Sequence, residues 1–329
     1  MGEPAGIGGE IALKAWPART RRKLPVFFVI GDPAWLAQID AAIPLAEIES
    51  PAEAAKCFKK ALPVLPLRLN AHVIAGKPDH RNAACVISAI RSGVELTQSG
   101  AASALVTNPI EKAVLYGAGF SHPGHTEFLA ELTGAKTAPV MLLACPATAK
   151  DPGLKVALVT VHLPLARVAS QLRMENIIAV ARSTSEALTR DFGIASPRLA
   201  IAAFNPHAGE RGALGREEIE IIAPAVAALR EAGMDAQGPF PADTLFHAAA
   251  RRRFDCVICM YHDQALIPLK TIDFSRGVNV TLGLDIVRTS PDHGVALDIA
   301  GKGVADPSSL IAALSMARDI AANRNRNGR

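Results

Sequence analysis

The sequence predicts an α/β protein built on mainly parallel sheets with helices on both faces, and three observations carry that prediction. Half of the residues are hydrophobic while aromatics make up only 5%, so the core is aliphatic, as strands buried on both faces require. Short apolar runs of strand length alternate with longer runs of helical period along the whole chain. The length, 329 residues, is more than one compact core holds comfortably and argues for one large or two medium domains.

In chain order the strand candidates are residues 26–30, 104–107, 140–143, 156–161, 199–204 and 256–260, each a short apolar run. Helical period marks residues 82–98, 174–192, 217–232 and 308–322. In the third of these, Ile219, Ile222, Val226 and Leu229 recur at three- and four-residue steps and form one apolar face. Neither an internal repeat nor a low-complexity linker is found, and the Gly/Pro-containing stretch 146–153 reads as a loop insertion. The opening MGEPAGIGGE runs into a helix with no strand before it. Either the fold is unusual there or the polypeptide begins a few residues earlier.

Net charge is +4, from 35 basic and 31 acidic residues, a bias too weak for a nucleic-acid binder. The one dense basic run, the terminal RNRNGR, reads as a solvated tail. No stretch reaches the roughly 18 apolar residues of a membrane span, and the N-terminus lacks a signal pattern. Five cysteines, an odd number set mostly in apolar runs, indicate a reduced, cytoplasmic protein. Cys256 and Cys259 form a CxxC inside FDCVICMY, a buried strand on which positions three apart point to opposite faces, so a metal or redox role is disfavoured.

Neither Gly6-x-Gly8-Gly9 nor the Gly209, Gly212, Gly215 set has the GxGxxG spacing, so a Rossmann dinucleotide site is not supported. The histidines say more. His162 follows VALVTV, His207 follows IAAFNP and His262 follows VICMY, each directly after an apolar strand. Ligands of open α/β sheets bind beyond the carboxyl ends of the strands, and imidazole suits a divalent metal such as zinc. One such histidine alone is an ordinary turn residue; three together, flanked by Asn205, Glu210, Asp263 and Gln264, point to a metal site.

Two further regions carry chemistry. SHPGHTEF holds His122, His125, Thr126 and Glu127, and Gly124 before a helix start leaves backbone N–H groups for an anion, or for a simple cap. Across residues 269–294, a Gly-punctuated and strand-like stretch, Lys270, Arg276, Asn279 and Arg288 suit a phosphate or carboxylate. HGVALDIAGKGVADP (residues 293–307) offers a glycine-rich backbone platform for a nucleotide.

GEPAGIGGE, VTNPIEK, PGHTEF, VTVHLPL, FNPHAGE, GPFPADTLF, MYHDQALIPLK, GVNVTLGL and VRTSPDHG occur in this order from residue 1 to about residue 320. Together they strongly resemble the 4-hydroxythreonine-4-phosphate dehydrogenases of vitamin B6 biosynthesis. HGVALDIAGKGVADP also resembles the adenosine-binding loop of isopropylmalate and isocitrate dehydrogenases. The resemblance implies an isopropylmalate dehydrogenase-like fold of two α/β/α domains with the active site in the interdomain cleft. Residues 1–120 plus 268–329 would bind cofactor, and 121–267 would hold metal and substrate and dimerise. By motif, His162, His207 and His262 become metal ligands, and His125 and Thr126 substrate contacts. By the same resemblance Lys270, Asn279 and Arg288 would take the anionic end of the substrate. His293, Gly294, Asp298, Gly301, Gly303 and Asp306 take the cofactor, and Asp243, Asp263 and Lys270 are the catalytic candidates. Glu3 and Gly9 stand where the family reads Asp and Pro, which leaves the role of the N-terminal loop open.

The activity so implied is NAD- or NADP-dependent oxidation of 4-phosphooxy-L-threonine to 2-amino-3-oxo-4-(phosphooxy)butanoate, which decarboxylates to 3-amino-2-oxopropyl phosphate. It implies a divalent metal (Zn, Mg or Co) and a homodimer with its site at the interface. The alternatives are a dehydrogenase of another four-carbon phosphorylated acid, such as threonate or erythronate 4-phosphate, and a phosphate acyltransferase-like enzyme.

Overall fold

In the computed structural model, which describes residues 1–122 and 124–327, the chain divides into two units. One comprises Met1–Thr137 and Leu284–Ala321, the other Ala138–Gly283 and Ala322–Arg329. Of the expected features, Pro123 of PGHTEF and the last two residues of RNRNGR lie outside the described residues.

The first unit opens with a helix, Gly8–Ala15, reached directly from the glycine-rich loop. Strands β1 (Val29–Gly31), β2 (Leu45–Glu47) and β3 (Leu62–Pro66) form a parallel sheet with β3 in the middle. Strand β4 (Leu105–Val106) follows the long helix Ala83–Gln98. The chain then builds the second unit from β5 (Val140–Cys145), β6 (Leu154–Leu158), β7 (Arg198–Ala202), β8 (Asp235–Phe240), β9 (Cys256–Cys259) and β10 (Val278–Leu282). It returns to the first unit as β11 (Arg288–Pro291), parallel to β4. In the second unit the strands stand in the order β10-β5-β6-β9-β7-β8.

The four strands β6, β9, β7 and β8 are parallel, while β5 runs antiparallel to both of its neighbours. The antiparallel entry follows from the short connection between Cys145 and Leu154, a hairpin length rather than a crossover. Composition does not register a reversed strand, because β5 is as apolar and buried as the parallel ones. Val156, Leu158, Ala200, Ala202, Val257 and Cys259 pack one face of this sheet against Ala265 and Leu269 of the helix His262–Ile272. Cys256 and Cys259 are fully buried, and burial lifts both thiols, that of Cys256 to about 12.

Three expectations need correction. The segment 217–232 begins as a π turn, Glu218–Ile222, before the α-helix Ala223–Glu231. The wider turn rotates Ile219 off the apolar stripe, so it is 44% exposed while Ile222, Val226 and Leu229 are buried. The basic tail is in part helix: Ser308–Asn327 is continuous, and Arg324 donates from Nε to Asp191 Oδ1 at 2.7 Å and from NH2 to Oδ2 at 3.0 Å. Lys270 lies on the helix His262–Ile272, not on a strand-like stretch, whereas Asn279 and Arg288 are on β10 and β11. No helix among the described residues is long and apolar enough to cross a membrane.

Asp191 is 2% exposed and Arg190 binds it as well. Burial pushes its carboxyl up, but hydrogen bonds from Arg190 and Arg324 more than offset this and leave it below the usual range. A depressed folded pKa gives stability that is present above the unfolded value, about 3.9, and lost as pH falls through the folded value. Arg324→Ala should therefore destabilise the protein at pH 7 by roughly 1.5–3 kcal/mol, the loss of a charge-assisted bond to a buried group. The difference from wild type should shrink in denaturation curves run below pH 4. An equal difference at pH 7 and pH 3 would contradict the assignment.

Candidate active site

The three strand-end histidines belong to the second unit, and the sheet order places them side by side. Strands β6, β9 and β7 are adjacent and parallel, with Val156 opposite Val257 and Ile201 opposite Ile258. Their carboxyl ends therefore lie along one edge, followed by His162, His262 and His207 respectively. Buried side chains tie this edge together. Thr160 donates to Met260 O at 2.7 Å, Gln264 Oε1 accepts from Met260 N at 2.7 Å, and Gln264 Nε2 donates to Ala203 O at 2.7 Å. Thr160 and Gln264 are 7% exposed each, so these polar groups are satisfied internally, as burial demands.

The backbone at two of the histidines is unusual. His162 has φ 51°, and residues 207–211 (His207, Ala208, Gly209, Glu210, Arg211) all have positive φ, a single turn of left-handed helix. For the four non-glycine residues this costs about 1–2 kcal/mol each. Such cost persists only where the surroundings fix the conformation, and it clusters at functional sites. The turn is held by buried Glu218, whose Oε1 accepts from the N–H of Phe204 at 2.8 Å and of Asn205 at 2.6 Å. The Asn205 amide donates to Glu218 Oε2 at 2.9 Å and to Glu217 Oε2 at 2.7 Å. Gly209 needs its missing side chain, since a Cβ there would sit 2.6 Å from Glu218 Oε2.

Two of the imidazoles meet: the rings of His162 and His262 have centroids 5.8 Å apart. Two imidazoles on one ion, each nitrogen at about 2.1 Å in tetrahedral geometry, place their ring centres roughly 5–6 Å apart. His262 Nδ1 lies 2.7 Å from Asp263 Oδ1, and His207 Nδ1 lies 2.7 Å from Glu210 Oε1. A carboxylate only accepts, so each Nδ1 donates and leaves the Nε2 lone pair for a ligand, the usual support of a metal-binding histidine. Among the described residues, however, no group of three or more His, Cys, Asp or Glu is arranged to hold a metal ion. His207, with its side chain 68% exposed, is turned to Glu210. Within one chain, then, the rings of His162 and His262 are paired while His207 is turned to Glu210, and the three do not form a closed cluster.

Lys270, half-buried, lies over the Phe274 ring at 5.1 Å. Asn279 on β10 has a buried Oδ1 without a hydrogen-bond partner. Asp243 is exposed on the turn Ala242–Thr244, and Arg276 is engaged by Asp273, its Nε 2.6 Å from Oδ2.

The first unit assembles its own polar group. Arg288 is 5% exposed and donates from NH2 to Thr107 Oγ1 at 2.7 Å; burial lowers its guanidinium to about 10. His125 opens the helix His125–Thr133 beside half-buried Thr126. Its Nε2 is buried without a partner, and burial, then the nearby Arg288 and Lys112 cations, holds its pKa well below the ordinary value. His122 has a packing role instead, its ring 5.0 Å from that of Phe120 and 4.9 Å from that of Phe128.

In the 293–307 loop, His293 Nε2 is likewise buried and unpartnered. Gly301 and Gly303 take positive φ, and Gly294 and Asp298 are exposed. Asp306 is engaged locally, its Oδ1 accepting from Ser308 N at 3.0 Å ahead of the last helix. The glycine-rich start braces this loop. Ile7 N donates to Val295 O at 3.1 Å, and Glu10 accepts from Ala305 N at 2.9 Å. Lys14 donates to Gly303 O and Ala305 O, at 2.8 Å each.

Sequence reasoning missed three residues. Thr160 and Glu218 act through backbone groups of other segments, which spacing does not reveal. Asn108 of VTNPIEK carries a buried, unpartnered Oδ1 while its Nδ2 donates to Gly8 O at 3.1 Å; its place inside a quoted motif was the available signal.

The model of the family described as pyridoxal phosphate biosynthetic protein PdxA matches residues 23–317. The chain belongs to this family. It is 56% identical to a 4-hydroxythreonine-4-phosphate dehydrogenase of Caulobacter vibrioides, over 98% of this chain and 96% of that one. It is 50% identical to the enzyme of that name from Bradyrhizobium diazoefficiens, over 98% and 96%. The crystal structure of 4-hydroxythreonine-4-phosphate dehydrogenase from Klebsiella pneumoniae matches with a TM-score of 0.82 at 37% identity, covering 98% of both chains. A terephthalate 1,2-cis-dihydrodiol dehydrogenase from Burkholderia xenovorans matches with a TM-score of 0.62 at 26% identity, over 97% and 96%. The protein is therefore an α/β enzyme of a dehydrogenase family that serves pyridoxal phosphate biosynthesis.

Two outcomes are expected. Gln264→Leu leaves Met260 N–H and Ala203 C=O unsatisfied, at about 1–3 kcal/mol each, and should lower the midpoint of denaturation accordingly; an unchanged midpoint contradicts the stitch. In NMR titration the His125 ring should stay neutral between pH 6 and 8; a midpoint near 6.5 contradicts its burial.

Proposed function

We propose that the chain oxidises the secondary alcohol of 4-phosphooxy-L-threonine with NAD or NADP, giving 2-amino-3-oxo-4-(phosphooxy)butanoate. This β-keto acid then loses CO2 to leave 3-amino-2-oxopropyl phosphate. One observation carries the reading: His162, His262 and His207 follow three adjacent parallel strands at their carboxyl ends, in a chain of this family. Imidazole donors suit a divalent ion such as Zn or Co better than Mg, the third candidate, and the three histidines would hold it with His207 brought in on assembly. When bound, such an ion supplies Lewis-acid polarisation of the alcohol, and NAD(P)+ supplies the hydride acceptor.

The chain's own groups then divide the work. Asp263 and Glu210 fix the tautomers of His262 and His207, which keeps Nε2 available as a ligand. Arg288, Lys270 and Asn279 bind the anionic end of the substrate. Arg288 stays cationic at neutral pH even though burial lowers it, and a guanidinium held in place by Thr107 suits an anionic group such as phosphate. Neutral His125, with Thr126, presents hydrogen-bonding groups and no added charge. Asp243, Asp263 and Lys270 are the groups we assign to proton transfer, Asp243 being exposed and able to exchange with solvent. His293, Gly294, Asp298, Gly301, Gly303 and Asp306 line the cofactor loop, where the positive-φ glycines let backbone approach a nucleotide closely.

The active form is a homodimer with the site at its interface, in which a partner copy meets the exposed apolar side chains beside the histidines. Leu165 is 68%, Ile267 65% and Phe274 76% exposed, and apolar side chains left exposed near a site are what a partner copy would cover. All five thiols are free, which suits the cytoplasm. The dihydrodiol dehydrogenase on the same scaffold favours one rival, a dehydrogenase of another substrate such as threonate or erythronate 4-phosphate.

The test is NAD(P)H formation at 340 nm with 4-phosphooxy-L-threonine and with erythronate 4-phosphate, each with EDTA and with added metal. Metal-dependent turnover preferring the first substrate is expected, and preference for the sugar acid would overturn the substrate assignment. His207→Ala should abolish metal-dependent turnover without loss of fold by circular dichroism; retained activity would remove His207 from the ligand set.

A further inference from the structure

We propose that the buried Glu218 carboxylate is a positioning residue for His207, holding the left-handed turn in the one shape that delivers this imidazole to a metal. The proposal rests on the functional reading above and extends it to a residue that touches neither substrate nor ion.

The geometry is specific. Glu218 is 4% exposed, and a buried carboxylate is retained only where its lone pairs are used. Oε1 takes two successive backbone N–H groups, of Phe204 at 2.8 Å and Asn205 at 2.6 Å, where the chain leaves β7. Oε2 takes the Asn205 side-chain amide at 2.9 Å and lies against Gly209, which has φ 75°. One side chain thus bonds the loop ahead of His207 and fills the space beside Gly209 after it. Within the loop, Leu214 N donates to Gly209 O at 3.1 Å and Ala213 N to Glu210 O at 3.3 Å. These bonds close the turn but do not anchor it to the sheet. Glu218 itself is fixed by the π turn that opens the following helix, a local irregularity of the kind found at functional sites. Glu217, one residue earlier, accepts from the Asn205 side-chain amide at 2.7 Å and from backbone N–H groups of its own turn, Glu217 and Arg216, not from those of Phe204 or Asn205. It is the natural control.

The test measures Co2+ affinity of the folded protein by its visible absorbance, alongside hydrogen exchange at Phe204 and Asn205. In Glu218→Ala these two amides should exchange at least about tenfold faster, and Co2+ should bind roughly 10–100-fold more weakly, the scale of losing support behind a metal ligand. The kcat should fall while KM for the phosphorylated substrate stays within about twofold, since Glu218 does not touch it. Glu217→Ala should stay within about twofold on every measure. Glu218→Gln keeps one accepting oxygen but sets an N–H2 against the Asn205 amide. It should fall between wild type and Glu218→Ala, and it serves if the alanine variant does not fold. Faster exchange with unchanged Co2+ affinity, or unchanged exchange, would overturn the proposal alone. Absence of Co2+ binding by the wild type would overturn the functional reading and this proposal with it.

Discussion

Three parallel strands end side by side, and one short series of hydrogen bonds keeps them there. Thr160 reaches Met260, and Gln264 bridges Met260 and Ala203, so the backbones leaving β6, β9 and β7 are joined just past the last sheet pairing. Parallel pairing alone does not fix where a strand's continuation goes, because its ladder ends with the strand. The stitch carries the register onward into the loops. Everything chemically distinctive about this unit, above all the placement of three imidazoles, depends on that edge not fraying.

The edge also accounts for where backbone cost is accepted. His162 and residues 207–211 adopt left-handed conformations that a free loop would abandon. They are tolerable here because each grows from an anchored strand end, and because Glu218 satisfies the N–H groups at the entry to the second turn. The same logic governs the first unit, where the helix Gly8–Ala15 braces the 293–307 loop through Glu10 and Lys14. In both units glycines appear where another segment comes close. Gly6 is one, because a Cβ would lie 2.8 Å from Val295 O. Rigid scaffolding around strained or close-packed loops is how an α/β sheet gives precise positions to residues that are not themselves in regular structure.

Much of this was legible in the sequence, and the reasons differ by element. The helix 82–98 and strands 140–143 and 256–260 are strongly periodic or strongly apolar, and each lies within a residue or two of its observed bounds. Strands β2 and β8 are short or polar enough to resemble loops, and the antiparallel setting of β5 leaves no compositional trace. At the site, position after a strand picked out His162, His207 and His262, because strand ends are local features. It did not pick out Thr160 or Glu218, whose partners are backbone groups of other segments. Nor did spacing reveal that His207 would face Glu210; side-chain direction in a left-handed turn is set by tertiary contacts.

In the proposed function the imidazoles of His162, His207 and His262 converge on one divalent ion at this edge. Anomalous diffraction from crystals of the intact protein grown with Co2+, measured at the cobalt edge, tests it most directly. One strong peak is expected within about 2.0–2.2 Å of a nitrogen from each of the three histidine positions, counting both subunits of a dimer. A peak on other residues, or no peak at saturating Co2+, would contradict it.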